Sequence, residues 1–323
     1  MAAIRNLLDF EKPLQNLQQQ IEELKRFTAA QGIDRSREIE ALEAQLSAVM
    51  EKIYTQLKPW DKVQLARHPE RPYTLDYIRL IFDDFVEMHG DRVYGDDGAI
   101  VGGMAQLDGE PVMVVGHQKG RDIKERTLRN FGSARPEGYR KAMRLMKLAE
   151  KMGRPIISFV DTPAADCSVG AEERGISEAI ARNQMEMSVL TVPVVVAVTG
   201  EGGSGGAIAL AVGDRILMLE HAIYSVIPPE GCAAILWRDP AKAPQAANAL
   251  KLTAQEAHRL EIVDQIVPEP LGGAHRDYAG AAQSLKQALV ENLTELRRVP
   301  EQALVDQRYR KLRGLGRYLE VEA

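Results

Sequence analysis

The 323-residue chain carries 41 basic against 46 acidic side chains, a formal net charge of −5, and 45% of it is hydrophobic. That is enough apolar material to bury one large core or two small ones, and too little positive charge to mark a nucleic-acid binder. Two cysteines, Cys167 and Cys232, without CxxC spacing or a matching histidine pair, argue against a disulfide framework or a structural zinc, so no metal is expected.

Along the chain, Leu14, Leu17, Ile21, Leu24 and Phe27 recur at helical spacing, Gly32 breaks the pattern, and Asp34 is placed to cap a second helix. Ile39, Leu42, Leu46, Val49, Ile53 and Leu57 repeat the periodicity up to Pro59. Residues 1–58 are therefore expected to form an antiparallel helical hairpin, packed on its own domain or gripping a partner subunit. Residues 59–323 make the main domain. The segment opening MAAIRNLLDFEKP has no uninterrupted apolar stretch, and the most apolar run, Pro193 to Val198, is far too short to span a bilayer. A cytoplasmic protein without a membrane partner is expected.

Thr74 predicts the cap of a helix carrying Leu75, Ile78, Phe82 and Phe85, with Gly90 after its end. Residues Ala99 to Leu107 and Pro111 to Gly116 flank Asp108-Gly109-Glu110 as a β-hairpin. A helix follows from Pro136 to Met152, a strand from Ile156 to Val160, a helix from Glu172 to Val189 and a strand from Val194 to Thr199. After a glycine-rich turn come a helix near Ala207 to Val212 and a strand from Arg215 to Leu219. Thr253 with Glu256 opens another helix as a capping box. Ile262 to Val267 reads as a strand and Tyr278 to Arg298 as a long helix. Alternating strands and helices mean an α/β fold with mostly parallel sheet. The order suits a stacked ββα spiral at least as well as a doubly wound sheet.

The sharpest local signal is Thr199-Gly200-Glu201-Gly202-Gly203-Ser204-Gly205-Gly206-Ala207, between a buried strand and a helix. Its glycines admit a ligand to the backbone, and the helix start offers unpaired N–H groups to an anion. A nucleotide-binding P-loop is excluded, since no Lys-Ser/Thr pair closes the glycines. Gly202 to Gly206 fits a nucleophile elbow literally, with Ser204 as nucleophile and Asp214 with His221, His258 or His275 as later partners. The alternative is an oxyanion hole built of backbone N–H groups alone. Asp161-Thr162-Pro163, with Val169 to Gly175 behind it, ends another strand where α/β proteins place ligands. The loop from Ser225 to Cys232 contributes Glu230, an acid–base candidate or a solvated carboxylate. Lys119, Arg121, Lys124, Arg126 and Arg129 form a basic stretch, suited to an anionic ligand or to solvent.

Taken together, these segments resemble the alpha-subunit family of bacterial and plastid acetyl-CoA carboxylase carboxyltransferase. The resemblance rests on LARHPERPYTLDY (Leu65 to Tyr77), Gly116 to Lys119, Arg129-Asn130-Phe131-Gly132, PEGYRK (Pro136 to Lys141), Val169 to Ser177, Gly200 to Ala207, Pro229 to Trp237 and PEPLGGAHR (Pro268 to Arg276), spread over roughly three-quarters of the chain. It implies a crotonase-like (ClpP/crotonase) ββα superhelix and an obligate beta subunit, which alone carries zinc, in an alpha2beta2 assembly. It further implies a biotin carboxyl carrier protein, a biotin carboxylase and acetyl-CoA as partners, with no covalently bound cofactor in this chain. The pair would move a carboxyl group from carboxybiotin to acetyl-CoA, with biotin taking the substrate proton. By the same resemblance the N–H groups of Gly205, Gly206 and Ala207 form the oxyanion hole. Gly202, Gly203, Pro163, Gly170, Glu230, Gly231, Lys119 and Arg121 are the implied substrate contacts. Rival readings are a hydratase or hydrolase of the same fold, or a non-catalytic scaffold.

In two places the chain departs from the family pattern. The family reads Gly-Ala-Tyr-Pro-Gly where Ala164, Ala165, Asp166, Cys167 and Ser168 stand here, and serine where Pro228 stands. Backbone strain and a misplaced negative charge are expected from the first.

Overall fold

The computed structural model describes residues 6–32 and 34–316. Residues 1–5, 33 and 317–323, over which the segment assignments above also run, lie outside the described residues. Helices α1 (Lys12–Gln31) and α2 (Ser36–Tyr54) form the expected hairpin. Pro13 starts the first with a preset φ, and Gly32, at φ +67°, ends it in the left-handed conformation while donating to Thr28 O at 3.0 Å. The apolar stripe is spent within the hairpin itself: Leu14 and Ile21 meet Leu46 and Met50, flanked by Leu17, Ile39, Leu42, Val49 and Ile53. Its base is moored to the main domain. Tyr54 donates to Glu11 Oε1 at 2.7 Å, Arg276 donates to the same oxygen at 2.5 Å, and His68 Nε2 lies 2.7 Å from Asn6 O.

The main domain runs α3 (Pro59–Ala66), α4 (Thr74–Ile81), β1 (Asp83–Glu87), β2 (Ile100–Leu107), β3 (Glu110–His117), α5 (Ile123–Leu128), α6 (Pro136–Lys151), β4 (Ile156–Thr162), α7 (Val169–Glu173) and α8 (Ile176–Ser188). It continues with β5 (Val194–Gly203), α9 (Ser204–Ile208), β6 (Arg215–Leu219), β7 (Ile223–Ser225), α10 (Pro229–Trp237), α11 (Ala243–Ala249), α12 (Ala254–Arg259), β8 (Gln265–Val267), α13 (Tyr278–Leu296) and α14 (Glu301–Arg313). The sheet order is β1-β2-β3-β4-β5-β6-β8, antiparallel among the first three strands and parallel from β3 onward. Strands β4 and β5 are buried along their whole length, which is why Ile156–Val160 and Val194–Val198 read as continuous apolar runs instead of alternating ones. Helix α6 packs on the neighbouring strands β2 and β3 and adds Tyr139, Ala142, Leu145, Met146 and Ala149 to the core, and α13, against β5, β6 and β8, adds Leu285, Leu289 and Leu293.

The sheet forks at the carboxyl end of β5. Strand β5 pairs with β6 through Val195–Val198, then leaves it and pairs with β7 through Glu201–Gly203. On its other side the register against β4 shifts between Val160 and Thr162. The glycine run sits at this fork, so Gly200, Gly202 and Gly203 belong to the strand and not to a turn.

Several expected elements differ. The predicted helix through Phe85 ends at Ile81, and Phe85 lies on the edge strand β1. Gly175, at φ +79°, divides the single helix expected from Glu172 to Val189 into α7 and α8. Helices α3, α10, α11 and α14 were not expected, and Pro229 opens α10 where its pair of prolines pointed to a loop.

Candidate functional site

At the end of β5, Ser204 takes φ +51° and turns the chain into α9. The N–H groups of Gly205, Gly206 and Ala207 lie in this first helical turn, where helix geometry provides no acceptor for them. Gly206 and Ala207 are buried and Gly205 is half-buried. A β-carbon on Gly205 would meet only Ile180 Cδ1 at 3.6 Å. One on Gly206 would lie 2.6 Å from Ala165 N and 2.7 Å from Ala164 C, with Tyr139 Oη at 3.0 Å. One on Gly203 would strike the carbonyl of Pro163. The strip Pro163–Ala165 and the turn at 203–206 therefore touch backbone to backbone, a contact that any side chain at Gly203 or Gly206 would force apart. Gly202 faces Tyr224 and pairs with Thr162 across the sheet. Gly170 lies inside α7 against Arg174, and Gly231 lies in α10 beside Ile227.

The strain expected of the altered loop is absent. None of Ala164, Ala165, Asp166, Cys167 and Ser168 has a positive φ. Asp166 N–H donates to Ala134 O at 2.9 Å, its Oδ1 accepts from Ser168 N–H at 2.9 Å, and its Oδ2 stands 3.6 Å from Arg135 Nε. Ser168 in turn caps α7 by accepting from Ala171 N–H. The loop has exchanged glycine freedom for an Asx-type turn and a cap.

The basic stretch divides into separate duties. Arg121 is committed inside the domain: Nη1 donates to Pro69 O and Arg71 O at 2.8 and 2.9 Å, Nη2 bonds Asp76, and the guanidinium lies over Tyr73. These bonds occupy both Nη atoms of the guanidinium inside the domain. Arg129 bonds Glu125 and Gly98 O, and Arg126 bonds Gly120 O. Lys119 points inward, 2.7 Å from Asp161 Oδ1 and 3.6 Å from Glu201 Oε2. Glu230, at the start of α10, accepts from Arg67 Nη1 at 2.6 Å, while Arg67 Nε reaches Glu201 at 2.7 Å.

Ser204 has the strained backbone of a nucleophile elbow without its partners. Asp214 accepts from Val194 N–H at 2.8 Å and pairs with Arg308. It thus sits at the beginning of β5, while Ser204 follows its end; ten strand residues separate them by about 33 Å. His258 bonds Val263 O, His275 stacks on His68 beside Glu11, and His221 packs on Tyr54. Sequence reasoning passed over two groups behind the turn, His117 and Tyr139, whose rings meet edge to face. Burial, above all, pushes His117 down to about 3, so it stays neutral and is a poor proton acceptor. Nothing in the order of residues brings β3 and α6 behind α9. The site as folded is thus a backbone donor set at a strand's carboxyl end, walled by Pro163–Ala165 and backed by buried charge, with no side-chain triad.

The fold is of the crotonase-like class. A transcarboxylase 12S solved with methylmalonyl-coenzyme A matches 69% of this chain and 41% of its own, with a TM-score of 0.56 and 20% identity. A Pseudomonas malonate decarboxylase hetero-tetramer in complex with coenzyme A matches over 67% of this chain and 86% of its own, with a TM-score of 0.56 and 17% identity. The family model described as acetyl co-enzyme A carboxylase carboxyltransferase-like matches residues 7–316. The acetyl-coenzyme A carboxylase carboxyl transferase subunit alpha of Geobacter metallireducens is 58% identical over 313 residues, covering 97% of this chain and 98% of that one. Its counterpart from Heliobacterium modesticaldum is 56% identical over 309 residues, covering 96% and 92%. The chain belongs to the acetyl-CoA carboxylase carboxyltransferase alpha-subunit family.

Proposed function

We propose that this chain, paired with a zinc-carrying beta subunit, transfers the carboxyl group of carboxybiotin, borne on a carrier protein, to acetyl-CoA, forming malonyl-CoA in the cytoplasm. The observation that carries this reading is the backbone donor set Gly205–Gly206–Ala207 at the carboxyl end of β5. In the reaction the C–N bond of carboxybiotin breaks, a C–H bond of the acetyl methyl breaks with its proton passing to the biotin ureido group, and a C–C bond forms at that methyl carbon. Negative charge develops on the way on the ureido oxygen and on the thioester enolate. Fixed N–H donors aimed at such a charge stabilise it without reorganising, which suits a site lacking an acid–base side chain. One anion hole is present here and two anions develop, so the second hole belongs to the beta subunit, and the chain is inactive alone. Pro163, Gly202, Gly203 and Gly170 shape the wall around the turn, and Glu230 with Gly231 forms its rim.

Reconstitution tests this reading. Malonyl-CoA formation is expected from the chain mixed with a beta subunit of the same family and a carboxybiotin donor, and none from either component alone. Turnover by the isolated chain would overturn the shared-site reading. Tight pairing with the beta subunit without turnover would favour the scaffold.

A further inference from the structure

Lys119, implied by resemblance as a substrate contact, is framed by the protein itself on every side that the structure gives. Its stem packs on Gly132, where a β-carbon would lie 2.7 Å from Lys119 Cγ, and the carbonyl of Gly132, at φ +82°, accepts from Thr162 Oγ1 at 2.8 Å. Its head meets Asp161 at 2.7 Å and Glu201 at 3.6 Å. Asp161 Oδ1 accepts in addition from the backbone N–H of Glu201 at 2.9 Å. Glu201 passes the chain of charges to Arg67, and Arg67 to Glu230 at the rim. Side-chain exposure rises along this line, from 2% at Asp161 through 7% at Glu201 and 29% at Arg67 to 40% at Glu230. Two cations, Lys119 and Arg67, thus stand between three carboxylates, and the two carboxylates nearest the core face Lys119. Burial opposes the ammonium charge, but Asp161 and Glu201 outweigh it and raise the Lys119 pKa above the ordinary lysine value.

We propose that Lys119 is a positioning residue for carboxyl transfer: by holding Asp161 and Glu201 together it fixes the end of β5, and with it the direction of the Gly205, Gly206 and Ala207 N–H groups. The inference rests on the proposed function. Glu201 lies three residues before Ser204, and its N–H and carboxylate are both tied into the pair. Without the ammonium, two carboxylates would face each other in a nearly dry space and drive the strand end away from β4. A small displacement of a preorganised donor set lowers the rate of the chemical step, and misplacement by about 1 Å costs on the order of a hundredfold. It does so without touching acetyl-CoA.

The test is steady-state kinetics of the reconstituted pair with Lys119→Met, Asp161→Asn, the double variant and Glu201→Gln. Lys119→Met is expected to lower kcat about 10- to 100-fold with KM for acetyl-CoA nearly unchanged. Asp161→Asn added to it removes the opposing charge and is expected to recover part of the loss. A raised KM with unchanged kcat would make Lys119 a substrate contact, and unchanged kinetics would make it a spectator; either overturns the proposal. So does a double variant no better than the single one. Should Lys119→Met fail to fold, Glu201→Gln decides, since it leaves the Lys119–Asp161 pair intact: a lowered kcat at constant KM is expected, and wild-type kcat refutes. An inactive wild-type pair would instead refute the proposed function on which this rests.

Discussion

Ser204 sits in the left-handed region at φ +51°, a conformation that costs an L-residue roughly 1–2 kcal/mol. The strain turns β5 sharply into α9, and with Asp214 at the far end of the strand its hydroxyl has no triad to serve. Ser204→Ala is therefore expected to keep most carboxyltransferase activity. A loss near a millionfold, the scale of a removed hydrolase nucleophile, would restore the elbow reading. Gly206 is the opposite case. Gly206→Ala must push the 164–165 backbone away and misdirect a donor, so kcat is expected to fall roughly a hundred- to a thousandfold. Gly205→Ala, whose β-carbon would make only an ordinary van der Waals contact with Ile180 Cδ1, is expected to leave the melting temperature unchanged. The glycine run was legible as a close backbone approach, and the fold shows what it approaches: Gly203 and Gly206 meet the backbone of Pro163–Ala165, Gly200 meets Asp161 and Gly202 meets Tyr224. The role of Lys119 was not legible: its carboxylate partners lie on β4 and β5, and only the folded sheet brings them to one point.

At the scale of elements, the hairpin is held by a buried carboxylate. Burial opposes the charge of Glu11, but His275, Arg276 and the Leu8 N–H outweigh it and hold the carboxyl at about 2. A depressed carboxyl pKa contributes stability that is whole above the ordinary value of 4.5 and is lost as pH falls toward 2. Proteolysis of residues 12–54 is expected to accelerate between pH 4.5 and 2, and Glu11→Gln to bring that sensitivity to neutral pH, at roughly 1.5–3 kcal/mol. Equal cleavage of both proteins at every pH would show that the base is not the anchor. His68, neutral through burial above all, acts higher: the unfolded chain takes a proton below about 6.5 that the folded one refuses, so stability falls as pH drops through that value. The loop from Ala164 to Ser168 carries a different expectation. Restoring Gly-Ala-Tyr-Pro-Gly removes the Asp166 turn and the Ser168 cap, at a cost of about 1 kcal/mol. Any gain should therefore appear in kcat, through loss of the Asp166 charge, and not in melting temperature; a higher melting temperature would show hidden strain in the present loop. Elements were legible where burial marked the sequence, as continuous apolar runs in β4 and β5 and as a helical period in α6. By contrast α11 (APQAANA) is built of alanines without a large apolar stripe, and β1 is a five-residue edge strand with two leading aspartates.

Across the whole molecule, a buried ion-pair anchor and the proposed site occupy opposite ends of β5. At its carboxyl end stand the turn and the Lys119 charges, where residues depart from what stability alone would choose. At its amino end Asp214 accepts from Val194 N–H and takes the guanidinium of Arg308 at 2.9 and 2.8 Å. Arg308, fully buried on α14, also donates to Met187 O, Leu190 O and Val192 O at 2.9, 2.7 and 3.2 Å. One side chain thus ties the C-terminal helix to the end of α8, the loop beyond it and the start of β5. Breaking a buried pair by removing one partner leaves an uncompensated charge and costs about 3–5 kcal/mol. Arg308→Met is therefore expected to lower the melting temperature markedly, whereas Arg308→Met with Asp214→Asn should recover part of it by removing the stranded carboxylate. Both variants, assayed with the beta subunit well below their melting temperatures, should keep near-normal kcat and KM, because the change lies a full strand length from the N–H donors. A kcat that falls in step with melting temperature, even where the protein is fully folded, would mean that β5 transmits displacement along its length, and that the two ends are one mechanical unit.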